Sequence, residues 1–376
     1  MAVATILSCM NEKVMAEEEI RSDIQISLDA WSADMLHPER EIQNIQKNNP
    51  LTKELQEQIL SMNGVKKLET DQYAGAYLLH NDQLKENDGS PLSTGVSGLS
   101  AELLEDCQKY VTKGSLDNPK LSQGTGIILG YGYITQNSDL TLGDTVELEI
   151  LDGDRKFTKT FEITTIVNAP NSFLVNSFAL PTEVLQGFCE TNLTNSLDIY
   201  VKKSKIADVT ATLKTITEEN EFLEMNTYEQ DYENAKKTIG LFIYAGYGAL
   251  TIFGMIGILN LVNTMINSVY VRKKEIGMLQ AIGMSDRQTV QMLQMEGLFY
   301  TLGTLTLSLG IGSLAGYLLF LKMKADGMVS IKYYEYPTIP ALVLIVVVIL
   351  VQLLITYLVN STFKKQSLID RIRFSE

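Results

Sequence analysis

Few residues in this chain are of the types that carry covalent or metal chemistry. Histidine occurs twice in 376 residues, as His37 and His80, and cysteine three times, as Cys9, Cys107 and Cys189. The histidines are far apart in sequence, and neither HExxH nor Cys-x-x-Cys is present, so the familiar zinc-holding spacings are missing. Ser313, flanked by Gly312, would need a base to become a nucleophile, and the surrounding apolar stretch holds no histidine. No glycine-rich phosphate loop ending in GKS or GKT occurs either. The sequence therefore argues against an enzyme and implies no cofactor in this chain.

The informative chemistry is that of docking and packing. Val271–Gln288 reads VRKKEIGMLQAIGMSDRQ. Ile276, Leu279 and Ile282 give a short helix one apolar stripe, and Gly283 can end it. Ser285, with Gln288 three residues on, has the spacing of a capping box that starts a new helix. Such a short helix could lie on a lipid surface, or it could be a lever that docks on a cytoplasmic partner. Asn260, Asn263, Thr264 and Asn267 fall within about 100° of one another around a helix. Amides inside a membrane are costly unless bonded, so this stripe is expected to face protein. Interhelical hydrogen bonding and a substrate path are the two readings of it. Gly312 and Gly316 form a GxxxG pair of the kind that lets helices approach closely.

The elements that must position these residues are long and apolar. Ile239 to Val269, Gly297 to Leu321 and Pro337 to Phe363 contain no charged residue. Each exceeds the roughly 20 residues that cross a bilayer core. Charge divides along the same line. Residues 1–271 hold 20 basic and 38 acidic side chains, whereas 272–376 hold 11 and 7. The overall acidity, a net charge of −14, argues against nucleic acid as a partner. Arg272, Lys273, Lys274 and Arg287 follow the first run, and Lys364, Lys365, Arg371 and Arg373 follow the third. The positive-inside rule puts both groups, and the C-terminus, in the cytoplasm, with the acidic region before Ile239 outside. Met1–Met10 is apolar but too short to span. It is read as the outer end of a first membrane helix whose beginning is missing, so that the chain is expected to be a fragment or one half of a longer membrane protein, a misassigned start giving the same pattern.

The external region reads as α+β. Residues 11–22 form a charged helical stalk, Asp23–Leu28 a strand, and 38–62 two helices separated by Pro50. Residues 81–98 read as a loop by turn chemistry and Ser100–Val111 as a helix. Thr145–Ile150 alternates into a hairpin at Asp152-Gly153, returning over Lys156–Val167. Leu197, Ile199 and Val201 mark another strand, Ile206–Glu218 a helix, and Tyr228–Thr238 a stalk into the first membrane run. Outside the cell, a Cys107–Cys189 disulfide is one reading and two buried free thiols the other. The expected architecture is thus an α+β extracytoplasmic domain joined by helical stalks to an all-α transmembrane bundle. The bundle has three complete helices (239–269, 297–321 and 338–360) plus a partial first helix. The divisions fall at 1–22, 23–238 and 239–376.

At Val271–Gly283 the sequence resembles the cytoplasmic signature of FtsX-like permeases of the MacB type. Asn263, Ser268, Arg272, Glu275, Ile276, Gly277, Ala281 and Gly283 occupy the places of that signature, and Glu296 stands where the family often has a Glu entering the next helix. Val271 departs from the acidic residue frequent there. Leu142–Val146 (LGDTV) with the following hairpin, and the tail Ser367–Arg373, are similar to the family's external domain and closing segment. The resemblance implies a bacterial, multi-pass cell-membrane subunit of an ABC transporter. A separate cytoplasmic ATPase would bind ATP and Mg and push a coupling helix at 271–283. Contact with it would fall to Arg272, Lys273, Lys274, Glu275, Ile276, Gly277, Leu279, Ala281 and Gly283, the charges pairing and Ile276 and Leu279 filling a groove. Asn260, Asn263, Asn267, Gly312 and Gly316 would pack helices, within the chain or in a dimer or with a second permease half. The cargo would be an antimicrobial peptide, a drug or a lipoprotein. The same parts would also suit a non-transporting regulator that relays ATPase motion to a cell-wall hydrolase or a sensor kinase.

Overall fold

The structure, a computed structural model, describes residues 1–30, 37–169, 178–325 and 331–365. The expected closing segment Ser367–Arg373 lies outside the described residues. The chain divides into two compact units, Glu12–Ala235 and Met1–Asn11 with Lys236–Glu376.

The strands are β1 (Ile24–Leu28), β2 (Val65–Leu79), β3 (Leu92–Leu99), β4 (Val111–Gly114), β5 (Gly126–Gly130), β6 (Thr145–Asp152), β7 (Arg155–Val167), β8 (Phe178–Pro181), β9 (Thr194–Val201) and β10 (Leu223–Thr227). The helices used below are α1 (Ala2–Cys9), α2 (Glu12–Glu19), α3 (Lys53–Ser61), α4 (Ala101–Cys107), α5 (Ile206–Glu218), α6 (Tyr228–Val271), α7 (Lys273–Ala281), α8 (Asp286–Thr306), α9 (Gly312–Ala325) and α10 (Thr338–Lys365).

The first unit is a mixed α/β domain. Pairings run β10-β1-β9-β2-β3-β8-β5-β7-β4, and β6 joins β2 to β7. The six strands β2, β3, β8, β5, β7 and β6 therefore close on themselves. All six supply residues to one apolar cluster, among them Leu78, Val96, Leu129, Leu148, Phe161 and Phe178. The wing β10-β1-β9 extends from β2. Its core joins Ile24, Ile26, Leu197 and Ile199 to Ile59 of α3 and Leu213 of α5.

Most of the expected elements stand within a residue or two, including the hairpin, whose Asp152 pairs with Arg155 around Gly153 at φ 62°. The loop expected at 81–98 is a strand from Leu92 onwards. Its serines and glycines were misleading for a physical reason. A Cβ on Gly95 would collide with the hydroxyl end of Tyr73, so the ring takes the space a side chain would fill. The helix expected to run to Val111 stops at Cys107, and Val111–Gly114 pairs with β7. Cys107 and Cys189 are free thiols in separate apolar clusters, so the bridge reading is corrected. Burial pushes them up to about 11 and about 12 respectively, which keeps both unreactive at neutral pH.

The second unit is helical. Tyr228–Thr264 and Arg287–Ala325 are long and apolar enough to cross a membrane, and Thr338–Leu354 is a shorter apolar stretch. A π-turn at Leu307–Ile311 joins α8 to α9. Helix α1 lies against α6 and α9 through glycines. A Cβ on Gly246 would meet Leu7 at 2.7 Å, and one on Gly316 would meet Thr5 Oγ1 at 2.6 Å and the Ala2 backbone at 3.1 Å.

Candidate functional site

The site is the hairpin formed by α7, its turn and the start of α8. Arg272 breaks away from α6 as the residue preceding α7, with φ −92° and ψ 4°. Helix α7 ends in a Schellman arrangement: the Gly283 N–H donates to the Gln280 carbonyl at 3.1 Å and the Met284 N–H to the Leu279 carbonyl at 3.0 Å. Gly283 sits at φ +117°, a conformation that L side chains rarely adopt. The next helix begins with the capping box legible in the sequence. The Gln288 N–H donates to Ser285 Oγ at 3.3 Å and the Ser285 N–H to Gln288 Oε1 at 2.9 Å.

Helix α7 has two faces. Ile276, 1% exposed, packs on Leu293 and Met292 of α8. One turn on, the buried Gln280 donates through Nε2 to Thr289 Oγ1 at 3.1 Å. At 100° per residue, Ile276 and Gln280 share a narrow inward arc. Gly277 is also buried, while Ala281 is exposed. The outer arc carries Glu275, Met278, Leu279 and Ile282, the apolar three being 49%, 44% and 84% exposed. This revises the single stripe expected from Ile276, Leu279 and Ile282. Ile276 is committed to its own hairpin, and it is Met278 that joins the outward group. The position of α8 decides this, and spacing along α7 alone does not reveal it.

The charges are also used within the hairpin. Arg272 Nη1 donates to Glu296 Oε2 at 2.9 Å, and Arg272 Nε lies 3.5 Å from Glu275 Oε2. Arg272 is therefore engaged by α8 and by its own helix, where it had been expected to meet charges on a partner. The Gln280–Thr289 bond was missed altogether. Two polar residues nine apart give no periodic signal. The side chains of Lys273 and Lys274 lie outside the described residues.

The packing residues fall into two sets. Gly312 and Gly316 face α1, where a Cβ on Gly312 would lie 3.1 Å from Met1 Cβ. Gly297 of α8 seats the amide of Gln352 from α10, which also accepts from Thr301 Oγ1 at 3.4 Å. Asn260, Asn263 and Asn267, expected to face protein, are exposed on α6 in this chain. An apolar cavity of about 970 Å³ lies between α1, α6, the π-turn and α10, lined by residues including Ala4, Tyr247, Gly254, Val343 and Val347.

The two histidines sit at the surface of the mixed domain. His37 Nδ1 lies 2.9 Å from Glu39, and His80 Nδ1 lies 2.6 Å from Glu147. Among the described residues no cluster of three or more His, Cys, Asp or Glu could hold a metal ion.

Comparison with known proteins bears on the helical unit. Residues 236–368 match the family model described as FtsX-like permease C-terminal. No curated protein matches the chain. Among solved structures, the periplasmic region of MacB from Actinobacillus actinomycetemcomitans matches at 13% identity and TM-score 0.35, over 61% of this chain and 98% of that one. The extracellular domain of the noncanonic ABC-type transporter YknZ from Gram-positive bacteria matches at 13% identity and TM-score 0.32, over 54% and 99%.

Proposed function

We propose that this chain, whose residues 236–368 carry an FtsX-like permease C-terminal domain, is the membrane subunit of an ABC transporter that works by transmitting motion. In this reading the helical unit crosses a cell membrane several times, with the mixed domain outside and the C-terminus in the cytoplasm. A separate cytoplasmic ATPase binds ATP and Mg, and its closure pushes on α7. Helix α6, which runs unbroken from Tyr228 to Val271, carries that displacement along its length. The cargo is an antimicrobial peptide, a drug or a lipoprotein, and the apolar cavity offers its greasy part a place away from water. Two copies, or this chain and a second permease half, would sit in lipid around one ATPase pair.

The observation that carries the reading is the outer arc of α7. Met278, Leu279 and Ile282 are exposed beside Glu275 on a helix whose opposite face is already fixed to α8. An exposed apolar group rimmed by charge suits a protein partner. It is held on a hairpin whose turn is capped on both sides, by the Schellman bonds at Gly283 and the capping box at Ser285, which suits a part that receives a push.

The reading is tested by Glu275→Lys and Gly277→Pro in the reconstituted complex. Both are expected to insert in the membrane and to abolish cargo-coupled ATP turnover. Normal coupling in both would refute the docking role. The orientation is tested at Ser93, an exposed position on β3. Ser93→Cys should react with a membrane-impermeant thiol reagent in intact cells, and protection there would reverse the topology.

A further inference from the structure

Arg21, Asp71 and Asp198 form a buried cluster where the stalk of α2 enters the mixed domain. Arg21 Nη2 donates to Asp71 Oδ2 and to Asp198 Oδ2, both at 2.6 Å. The two carboxylate oxygens therefore lie within twice that distance of each other. One guanidinium thus faces two carboxyl groups. Two close carboxyl groups do not both ionise readily in a buried site, and one of them holds its proton to higher pH.

The hydrogen bonds decide which one. Asp198 is fully buried in β9, and its other oxygen, Oδ1, accepts from Ser22 Oγ at 2.8 Å and from Gln25 Nε2 at 3.1 Å. Those donors, with Arg21, engage both oxygens of Asp198. Asp71 has no such support. Its Oδ2 has only a long second contact, 3.4 Å from Ser196 Oγ, and its buried Oδ1 has no partner. Burial, against the opposing pull of Arg21, raises Asp71 to about 6, and the neighbouring Asp198 adds to the rise.

The other ionisable groups facing the pair are accounted for. Tyr200 of β9 donates to Glu69 Oε2 at 3.1 Å, and burial raises its phenol. Lys67 pairs with Glu69 and with Glu102 of α4. The Cys107 thiol of α4, raised by burial, stays neutral.

The position of the cluster gives it a consequence. Arg21 and Ser22 lie between α2 and β1. Ile24 pairs with Thr227, and the Tyr228 N–H, at the start of α6, donates to the Asp23 carbonyl at 3.1 Å. Asp23 in turn accepts from the Val201 N–H at 2.7 Å. Both stalk helices therefore join the domain within a few residues of Arg21. We propose that Asp71 and Asp198, bridged by Arg21, form a proton-binding pair at this junction, and that uptake of one proton on Asp71 tightens it as the pH falls. The proton comes from water and goes to Asp71, leaving one carboxylate opposite one guanidinium.

The sign follows from linkage. The folded pKa of Asp71 lies above its ordinary 3.8, so between those values the folded state holds more protons than the unfolded chain. The stabilisation is full below about 3.8 and is lost as the pH rises through about 6. None of this depends on the transporter reading, and the test uses purified full-length protein in detergent, where every surface meets the same pH. Infrared titration of the wild type should show a buried carboxylic-acid band at pH 5 that disappears with a midpoint near 6. Asp71→Asn should lack the band and lose the fall in melting temperature that the wild type shows from pH 5 to pH 7. Arg21→Gln, which removes the cation, should move the midpoint upward. Absence of the band in wild type at pH 5, an unchanged band in Asp71→Asn, or an unmoved midpoint in Arg21→Gln would overturn the proposal. The wild-type titration decides even where a variant fails to fold.

Discussion

Arg272 Nη1 stands 2.9 Å from Glu296 Oε2, so the residue that starts α7 is tied to the third turn of α8, 24 positions later in the chain. With Ile276 on Leu293 and Gln280 on Thr289, this makes three successive ties along the hairpin: a charge pair, an apolar contact and a hydrogen bond. The pair is partly exposed, so its own worth is at most about 1 kcal/mol. Its effect is to fix direction. Arg272→Glu and Glu296→Arg should each raise amide exchange over Lys273–Ala281 several-fold, and the double swap should restore protection. A double variant no better than either single one would show that the pair does not hold the hairpin.

The two faces of α7 should separate by mutation. Ile276→Ala removes a buried side chain and should cost about 2 kcal/mol or more, read as a lower melting temperature of the helical unit. Leu279→Ser with Ile282→Ser changes exposed positions. Melting should stay within about 0.5 kcal/mol of wild type, while ATPase stimulation by cargo falls at least tenfold. Equal stimulation in wild type and the double variant would exclude the outer arc as the docking face.

The turn between the helices should be intolerant at one position and lenient at the other. Gly283→Val forces a β-branched residue into φ +117° and should cost about 1–3 kcal/mol. Ser285→Ala deletes one cap and should cost about 1 kcal/mol. Both can be read by local hydrogen exchange at Met284–Thr289, and the reverse ranking would count against this geometry.

The helix-packing glycines should differ from one another for a reason visible in what surrounds them. At Gly297 an added Cβ meets only the amide end of Gln352, which can swing aside. At Gly316 it meets Thr5 and the Ala2 backbone, which cannot move without displacing α1. Gly316→Ala should therefore destabilise the helical unit more than Gly297→Ala, and Gln352→Ala should rescue only the latter. Thermal unfolding in detergent measures both.

The parts of this molecule legible in the sequence were those with local causes. The capping box at Ser285 and Gln288, the Asp152-Gly153 hairpin and helix Ile206–Glu218 each follow from residues within a few positions of each other. What escaped depends on distant partners. Leu92–Leu99 has loop composition and is a strand because Tyr73 fills the space over Gly95. The inward face of α7 is set by Leu293 and Thr289, which no periodicity in α7 reveals. The Arg21 cluster joins residues 50 and 177 positions away, and each of its members alone reads as an ordinary surface charge.

The register of β1 against β10 bears on how force would travel through the mixed domain. The strands are antiparallel neighbours paired from Ile24↔Thr227 to Leu28↔Leu223, and both helical stalks attach at the Ile24↔Thr227 end. Prising the two stalks apart would load the Tyr228–Asp23 bond and that first rung ahead of the rest and unzip the ladder one pair at a time. Moving the stalks together along the strand axis would instead drag both strands past β9 and load that ladder in shear, every rung at once. The same attachment is thus weak against splaying and stiff against a joint thrust, so a machine built on it would deliver work by piston strokes more readily than by opening like scissors.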